Sequence, residues 1–379
     1  MMIFDSAGAE RFADFVSRRR APLTAAGGLT GILIGIYSDE ARGMIGWTWT
    51  HVVAGGTLVV LAAAGVFSAA WWGRGRLERR RELRREIVAK SFDIHADDFD
   101  DDLPSDHAVI GRELRYLERR TTSTHLVVLL HGLGLDANDF RSFMNVAPQH
   151  TAAITAFGHN TQEARDDSYR AIGLATHTDL VSGAINNLHR QYPHKKLTLV
   201  GFSVGADMLL RLAELWRDHP DRKPRVSSVM LLDPNINHST MIITGSMAQL
   251  NPDEPLAELK RIANTPRSPV EFQNICEYLH KITEKDLRQV QRYAADLWDY
   301  WEPDGQYDLF FQRTQRLQAV CGTLRVFFST HFEHHFNDVV AHARQRGIRQ
   351  VFDLRRVDHF ELCRETFLKR EVTALIRRR

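Results

Sequence analysis

Cysteine is scarce: Cys276, Cys321 and Cys363 are the only three in 379 residues, and no Cys-x-x-Cys pair occurs. That excludes a disulfide scaffold and gives no zinc-ribbon pattern, and it points to a reducing compartment. Net charge is nearly absent as well, at +2, so the chain lacks the electrostatic footprint of a nucleic-acid binder and no nucleic acid is expected as a partner. There is no internal repeat, which removes solenoids and propellers from consideration. At this length the chain has room for one large domain and something smaller.

Charge is missing in two places in a more telling way. No Asp, Glu, Lys or Arg occurs from Ala21 to Tyr37, nor from Met44 to Gly73. The second stretch, about thirty residues, exceeds the roughly twenty a membrane-spanning helix needs, and the first is near the lower limit. A signal peptide would need a small-residue cleavage site after the first stretch, and a second apolar run follows instead. The expectation is a transmembrane hairpin, with helices at about residues 21–37 and 50–72 after a cytosolic segment 1–20. Trp47 and Trp49 at one end of the second span and Trp71 and Trp72 at the other suit interfacial belts. Gly27, Gly31 and Gly35 recur every four residues, a spacing that admits a second helix and hence a homo-oligomer.

Arginine placement sets the orientation. Arg18, Arg19 and Arg20 precede the first span and Arg74, Arg76, Arg79, Arg80, Arg81, Arg84 and Arg85 follow the second, whereas the loop Ser38 to Gly43 holds Arg42 beside Asp39 and Glu40. Positive flanks stay in the cytoplasm, so both termini are expected there, at the inner or plasma membrane if the cell is bacterial. Arg74 to Lys90 then reads as a basic juxtamembrane helix lying on anionic headgroups. Asp93 to Asp106, with seven aspartates and no periodicity, reads as a solvated linker, giving a connecting region of 74–106.

From about His107 the pattern changes to β-type runs alternating with helical ones, the signature of a mostly parallel sheet with helices on both faces. Strands are expected at Leu126–Leu130, Ala153–Phe157, Leu197–Val200, Val226–Leu232, Leu324–Ser329 and Gln350–Leu354. Helices are expected over Thr178–His189 and Ala206–Trp216. Between the strand Leu197–Val200 and the helix that follows it stands Gly201-Phe202-Ser203-Val204-Gly205. A serine flanked by small residues on a sharp strand-to-helix turn is a nucleophile elbow, exposing its hydroxyl at the sheet's carboxyl edge.

Three features in one chain order carry a resemblance. They are Leu126–Leu130 followed by His131-Gly132-Leu133-Gly134, the elbow, and Val357-Asp358-His359-Phe360 after the last strand. The region 107–379 resembles an α/β-hydrolase. That resemblance implies the α/β-hydrolase fold and a catalytic triad with Ser203 as nucleophile and His359 as base. It implies an oxyanion hole from the amides of Leu133 and Val204, with Gly132, Gly201 and Gly205 as motif support and His131 bracing the oxyanion loop. It leaves three candidates for the acid. Aligning the end of the penultimate strand puts Glu333 at the usual position. Asp233, after the strand Val226–Leu232, holds the place used by a minority of the family, and Asp338 is a third possibility.

A serine hydroxyl becomes nucleophilic only when a base takes its proton, and a histidine held by a carboxylate does that near neutral pH. No metal or cofactor is needed. The cluster His331, His334, His335 has no accompanying carboxylate pattern, and no metal is expected there. Residues 236–320 separate two strands by more than one helix requires, and such insertions form caps in this family. Trp298, Tyr300, Trp301, Phe310 and Phe311 in it either line an acyl pocket or form the cap's own core. The expected activity is a membrane-anchored cytosolic serine hydrolase, an esterase or lipase acting on lipid or acyl esters at the bilayer. The same triad permits a peptidase or amidase, and a membrane-tethered effector using the fold as scaffold is the reading from another class.

Overall fold

Runs of β-branched and aliphatic residues too short for helices, such as Leu126–Leu130 and Val226–Leu232, are buried on both faces and pair into one sheet. The computed structural model describes residues 86–95, 109–160, 170–266, 268–348 and 351–377, all within the compact unit Arg80–Arg379. The strands are β1 (Ile87–Asp93), β2 (Glu113–Arg119), β3 (His125–Leu130), β4 (His150–Ile154), β5 (Lys196–Phe202), β6 (Val226–Leu232), β7 (Cys321–Phe328) and β8 (Val351–Leu354). Their spatial order is β1-β2-β4-β3-β5-β6-β7-β8. The first two pairings are antiparallel and the other five parallel.

The helices are α1 (Arg141–Val146), α2 (Leu174–Gln191), α3 (Val204–Asp218), α4 (Ile242–Ala248), α5 (Leu256–Ala263), α6 (Pro269–Thr283), α7 (Leu287–Tyr300), α8 (Asp308–Val320), α9 (Glu333–Gln345) and α10 (Glu365–Arg377). Helix α3 follows the elbow and is almost wholly buried; its Trp216 donates Nε1–H to Ser182 Oγ of α2 at 2.9 Å, which satisfies the indole inside the core.

Two expected boundaries are corrected. Ile87–Lys90 is not the end of a basic helix but the start of β1, so the sheet begins ahead of residue 107. The reason is burial of one carboxylate: Glu118 of β2 is 1% exposed and takes hydrogen bonds from His150 Nε2 at 2.9 Å, Tyr192 Oη at 2.5 Å and Arg120 Nε at 3.3 Å, and Lys90 of β1 pairs with it as well. The cap is also shorter than 236–320. Helix α8 packs on α3 and runs into β7, and its Arg313 reaches Glu214 of α3 at 3.2 Å, so it belongs to the layer covering the sheet. The cap is the segment carrying α4 to α7.

Residues 1–20, both expected membrane spans, residues 21–37 and 50–72, and Gly27, Gly31 and Gly35 lie outside the described residues. Among the described residues no helix is long and apolar enough to cross a membrane.

Candidate active site

The register of the sheet brings the site together. Phe202 of β5 pairs with Leu232 of β6, and Leu232 with Phe327 of β7, so β5 and β6 end at one level and β7 runs one residue further. Ser203 is the next residue on one and Asp233 the next on its neighbour. Ser203 N donates to Leu232 O at 2.8 Å, and Asp233 N to Phe327 O at 2.8 Å. Among the described residues these are the two non-glycine positions with positive φ, 53° at Ser203 and 47° at Asp233. Such conformations persist only where the surroundings over-determine them, and they cluster at functional sites.

The glycines of the elbow explain themselves by distance. A Cβ on Gly201 would lie 2.4 Å from Gly205 O, and one on Gly205 would lie 2.3 Å from Leu130 O. Both obstacles are backbone, which cannot swing aside, so helix α3 starts against the end of β3 only if these residues lack side chains. A Cβ on Gly132 would lie 3.3 Å from Ser203 Cβ, which puts the loop His131–Gly134 directly beside the serine.

The carboxylate beside His359 is not Glu333, the one first expected, but Asp233. His359 Nδ1 lies 2.7 Å from Asp233 Oδ2. The same carboxylate accepts from Ser329 N at 2.6 Å and Ser329 Oγ at 2.5 Å, and its side chain is fully buried. Glu333 is exposed in the first turn of α9, and Asp338 is exposed further along it with Tyr307 Oη donating to it at 3.4 Å. Helix α9 begins so soon after β7 that it carries both carboxylates onto its outer side, leaving β6 to provide the group. Ser329 was not foreseen; the only signal for it is a hydroxyl at the end of a strand next to an Asp-Pro turn.

With Nδ1 against a carboxylate, His359 carries its proton there and turns Nε2 outward as the acceptor. Ser203 and His359 line one cavity of about 70 Å³ together with His331, Asp358, Glu271, Met241, Ile243, Ile275, Phe332 and Phe360. The cap aromatics do not line it. Trp301, Phe310 and Phe311 are core residues, Trp298 stacks on His238 at 3.9 Å between ring centroids, and Tyr300 lies under the Arg313 guanidinium at 3.3 Å. They are the cap's interior and its seam with α8, and aliphatic residues of α4 and α6 face the serine instead.

His131 is held as a neutral ring. Its Nε2 accepts from Ala156 N at 2.9 Å, so the proton sits on Nδ1, which donates to Gly132 O at 2.7 Å. Burial lowers its pKa, and with both nitrogens engaged it ties the loop to the end of β4 and has no lone pair left for base chemistry. Behind the elbow, Asp207 of α3 accepts from Asn235 N at 3.0 Å and from Asn235 Nδ2 at 2.5 Å. This pins the chain two residues past Asp233. Burial pushes the Asp207 carboxyl up to about 7 against the hydrogen bonds of Asn235, which favour its charge.

No family model matches the chain and no curated protein matches it. Solved structures do. A loop variant of the haloalkane dehalogenase DbeA from Bradyrhizobium elkanii superimposes with a TM-score of 0.50 at 13% identity, over 77% of this chain and 96% of that one. The chain has the α/β-hydrolase fold. A thermophilic esterase from Thermogutta terrifontis is similar at a TM-score of 0.47 and 16% identity, over 70% of this chain and 94% of that one. A membrane phospholipase A described as a bacterial virulence factor is similar at 0.46 and 14%, over 86% and 98%. At 13% identity the likeness to the dehalogenase is one of fold and carries no chemistry across.

Proposed function

We propose that the chain is a serine hydrolase of carboxylic esters, in which Ser203, His359 and Asp233 form the triad. The observation that carries the reading is the contact of His359 Nδ1 with buried Asp233 while His359 itself lines the cavity that also holds Ser203, with Ser203 and Asp233 both at positive φ. In the first half-reaction Ser203 Oγ attacks the ester carbonyl carbon and its proton passes to His359 Nε2. The oxyanion is met by the amides of Leu133 and Val204; the second is the first residue of α3, whose amide has no acceptor within its own helix. Collapse breaks the bond to the alkoxy oxygen, which leaves as alcohol with the proton from His359. Water then adds to the acyl-enzyme by the same transfers in reverse and releases the acid.

The cavity bounds the acyl group. Its volume of about 70 Å³ is room for on the order of five water molecules, so a short or slender acyl chain fits with the cap as it stands. Aliphatic walls and the two uncharged segments upstream support esters drawn from a membrane, and anchoring through those segments raises the local concentration of such substrates. The test is a fluorophosphonate probe, which reacts only with an activated serine. Wild-type protein should be labelled, and Ser203→Ala and His359→Ala should not. Labelling that survives Ser203→Ala would refute the assignment.

A further inference from the structure

One helix of the cap touches the cavity, the loop beside the serine and the loop that carries His359. Glu271 and Ile275 of α6 line the cavity beside Ser203 and His359. The far end of α6 meets the loop beside the serine: a Cβ on Gly134 would lie 2.4 Å from Ile282 Cγ1, Lys281 pairs with Asp139, and Lys285 Nζ is 2.5 Å from Asp136 Oδ2. Within the first of these contacts, between Glu271 and Ile275, α6 reaches the loop that carries His359. Asn274 Nδ2 donates to Asp358 Oδ2 at 2.8 Å, and Asn274 Oδ1 accepts from Arg364 Nη2 at 2.8 Å. Asn274 is 5% exposed.

Asp358 organises that loop. Its Oδ1 accepts from Glu361 N at 2.9 Å, while Glu361 Oε2 accepts from Asp358 N at 2.9 Å, a reciprocal bracket around His359 and Phe360. One carboxylate oxygen is therefore spent on the loop itself and the other on the cap. On the sheet side, Thr330 N and Thr330 Oγ1 both donate to Val357 O, at 3.0 and 3.1 Å. The base is thus held from the sheet by Thr330 and Asp233, and from the cap through Asn274.

We propose that Asn274 is a positioning residue that makes the pose of the His359 imidazole depend on the seating of α6. Glu271 and Asn274 lie three residues apart on α6 and so face the same way, and Ile275 follows. An acyl group filling the cavity presses on Glu271 and Ile275, and α6 passes that displacement through Asn274 to Asp358 and the adjacent base. Seating of α6 and alignment of the base are therefore one event. The inference rests on the triad reading above.

The test uses the full-length protein with p-nitrophenyl butyrate, scored on gel-filtered, folded protein. Asn274→Ala removes the donor and its volume. Asn274→Asp keeps the volume and the acceptor for Arg364 but sets a second carboxylate against Asp358. The expected result is a fall in kcat of about tenfold for Asn274→Ala, the worth of one such hydrogen bond, with KM changed less than about twofold, and a fall at least as large for Asn274→Asp. If Asn274 merely fills space, the isosteric Asp variant stays active while the Ala variant fails, and the proposal is overturned. It is overturned equally by an unchanged kcat in both variants, or by a loss confined to KM. If the Ala variant does not fold, the isosteric Asp variant alone decides. Failure of the triad reading shows separately, as wild-type Ser203 that takes up no fluorophosphonate, and it removes this proposal with it.

Discussion

Replacing Asp233 by asparagine separates the charge of the acid from its shape. The residue sits at φ 47°, a conformation that asparagine and aspartate visit readily and alanine enters at a cost of about 1 kcal/mol. Asp233→Asn therefore leaves the backbone turn in place where Asp233→Ala would not. The wild-type carboxylate accepts from Ser329 N, Ser329 Oγ and His359 Nδ1. An amide that keeps its oxygen on Ser329 N must turn its NH2 toward His359. Ser329 Oγ can rotate to accept, but His359 Nδ1 can accept only by giving up its proton to Nε2. That is the nitrogen required to take the proton of Ser203, so the imidazole is trapped in the wrong tautomer. The corresponding change in other Ser-His-Asp sites costs about 10⁴ in kcat, or about 5.4 kcal/mol of barrier. Turnover of p-nitrophenyl butyrate should fall by that order with KM little changed. Glu333→Gln and Asp338→Asn should stay within about twofold, as exposed substitutions away from a site do. The reasoning is refuted if Glu333→Gln abolishes turnover while Asp233→Asn keeps more than a tenth of it.

Glu118→Gln should destabilise the fold by about 3 kcal/mol at pH 7, since Lys90, His150 and Tyr192 then surround a group that cannot accept from all of them. Burial alone would push this carboxyl up, but hydrogen bonds from His150, Lys90 and Tyr192 hold it well below the usual range. Its contribution is present above the unfolded value of about 4.3 and is lost as pH falls below that; urea midpoints should drop between pH 5 and 3 in the wild type and less in the variant. Asp207 has the opposite sign. With its folded pKa raised to about 7, the native state holds a proton that the unfolded chain releases near pH 4, so its contribution declines as pH rises from about 4 to 7. Comparing urea midpoints at pH 5 and 8 should show a shallower decline for Asp207→Asn, and parallel slopes would contradict the burial argument. For topology, protease added to right-side-out vesicles should spare the domain after Arg85 and digest it once the vesicles are opened, an order that the arginine flanks dictate.

What was legible in the sequence was the parallel half of the sheet. Strands buried on both faces read as continuous apolar runs, and Val226–Leu232 was found to the residue. The antiparallel edge was not: Glu113–Arg119 and Ile87–Asp93 carry Glu, Arg, Lys and Asp among their apolar residues and resemble a charged linker. Strand β4 was expected three residues late, because its first two residues are His150 and Thr151, polar groups that are buried. His150 is spent on Glu118, a partner 32 residues away. That Ser203 and His359 share one cavity was legible because each lies in a local motif. The carboxylate beside His359 was not, because Glu333 and Asp233 both stand just past a strand with Asp338 a little further on, and only the early start of α9 carries Glu333 and Asp338 away. Aromatic residues of the cap could not be assigned to pocket or core, since facing is a property of packing that a single strand of text does not carry.

The two strained residues point to one cause. Ser203 and Asp233 leave adjacent parallel strands at the same level, each donates its amide to a carbonyl at the end of the next strand, Leu232 O or Phe327 O, and each then turns to positive φ. The shared hydrogen bond extends the sheet by one residue beyond regular pairing, so the side chain is thrown up from the carboxyl edge while its backbone is still clamped. Each such conformation costs on the order of 1–3 kcal/mol. The clamp that offsets it is visible at both places: Gly205 seated against Leu130 O below Ser203, and Asp207 holding Asn235 beyond Asp233. Helix α3 supplies both clamps, Gly205 and Asp207 being two residues apart in its first turn. The helix that begins at Ser203 therefore also fixes the loop beyond Asp233, which keeps the two strand ends in register.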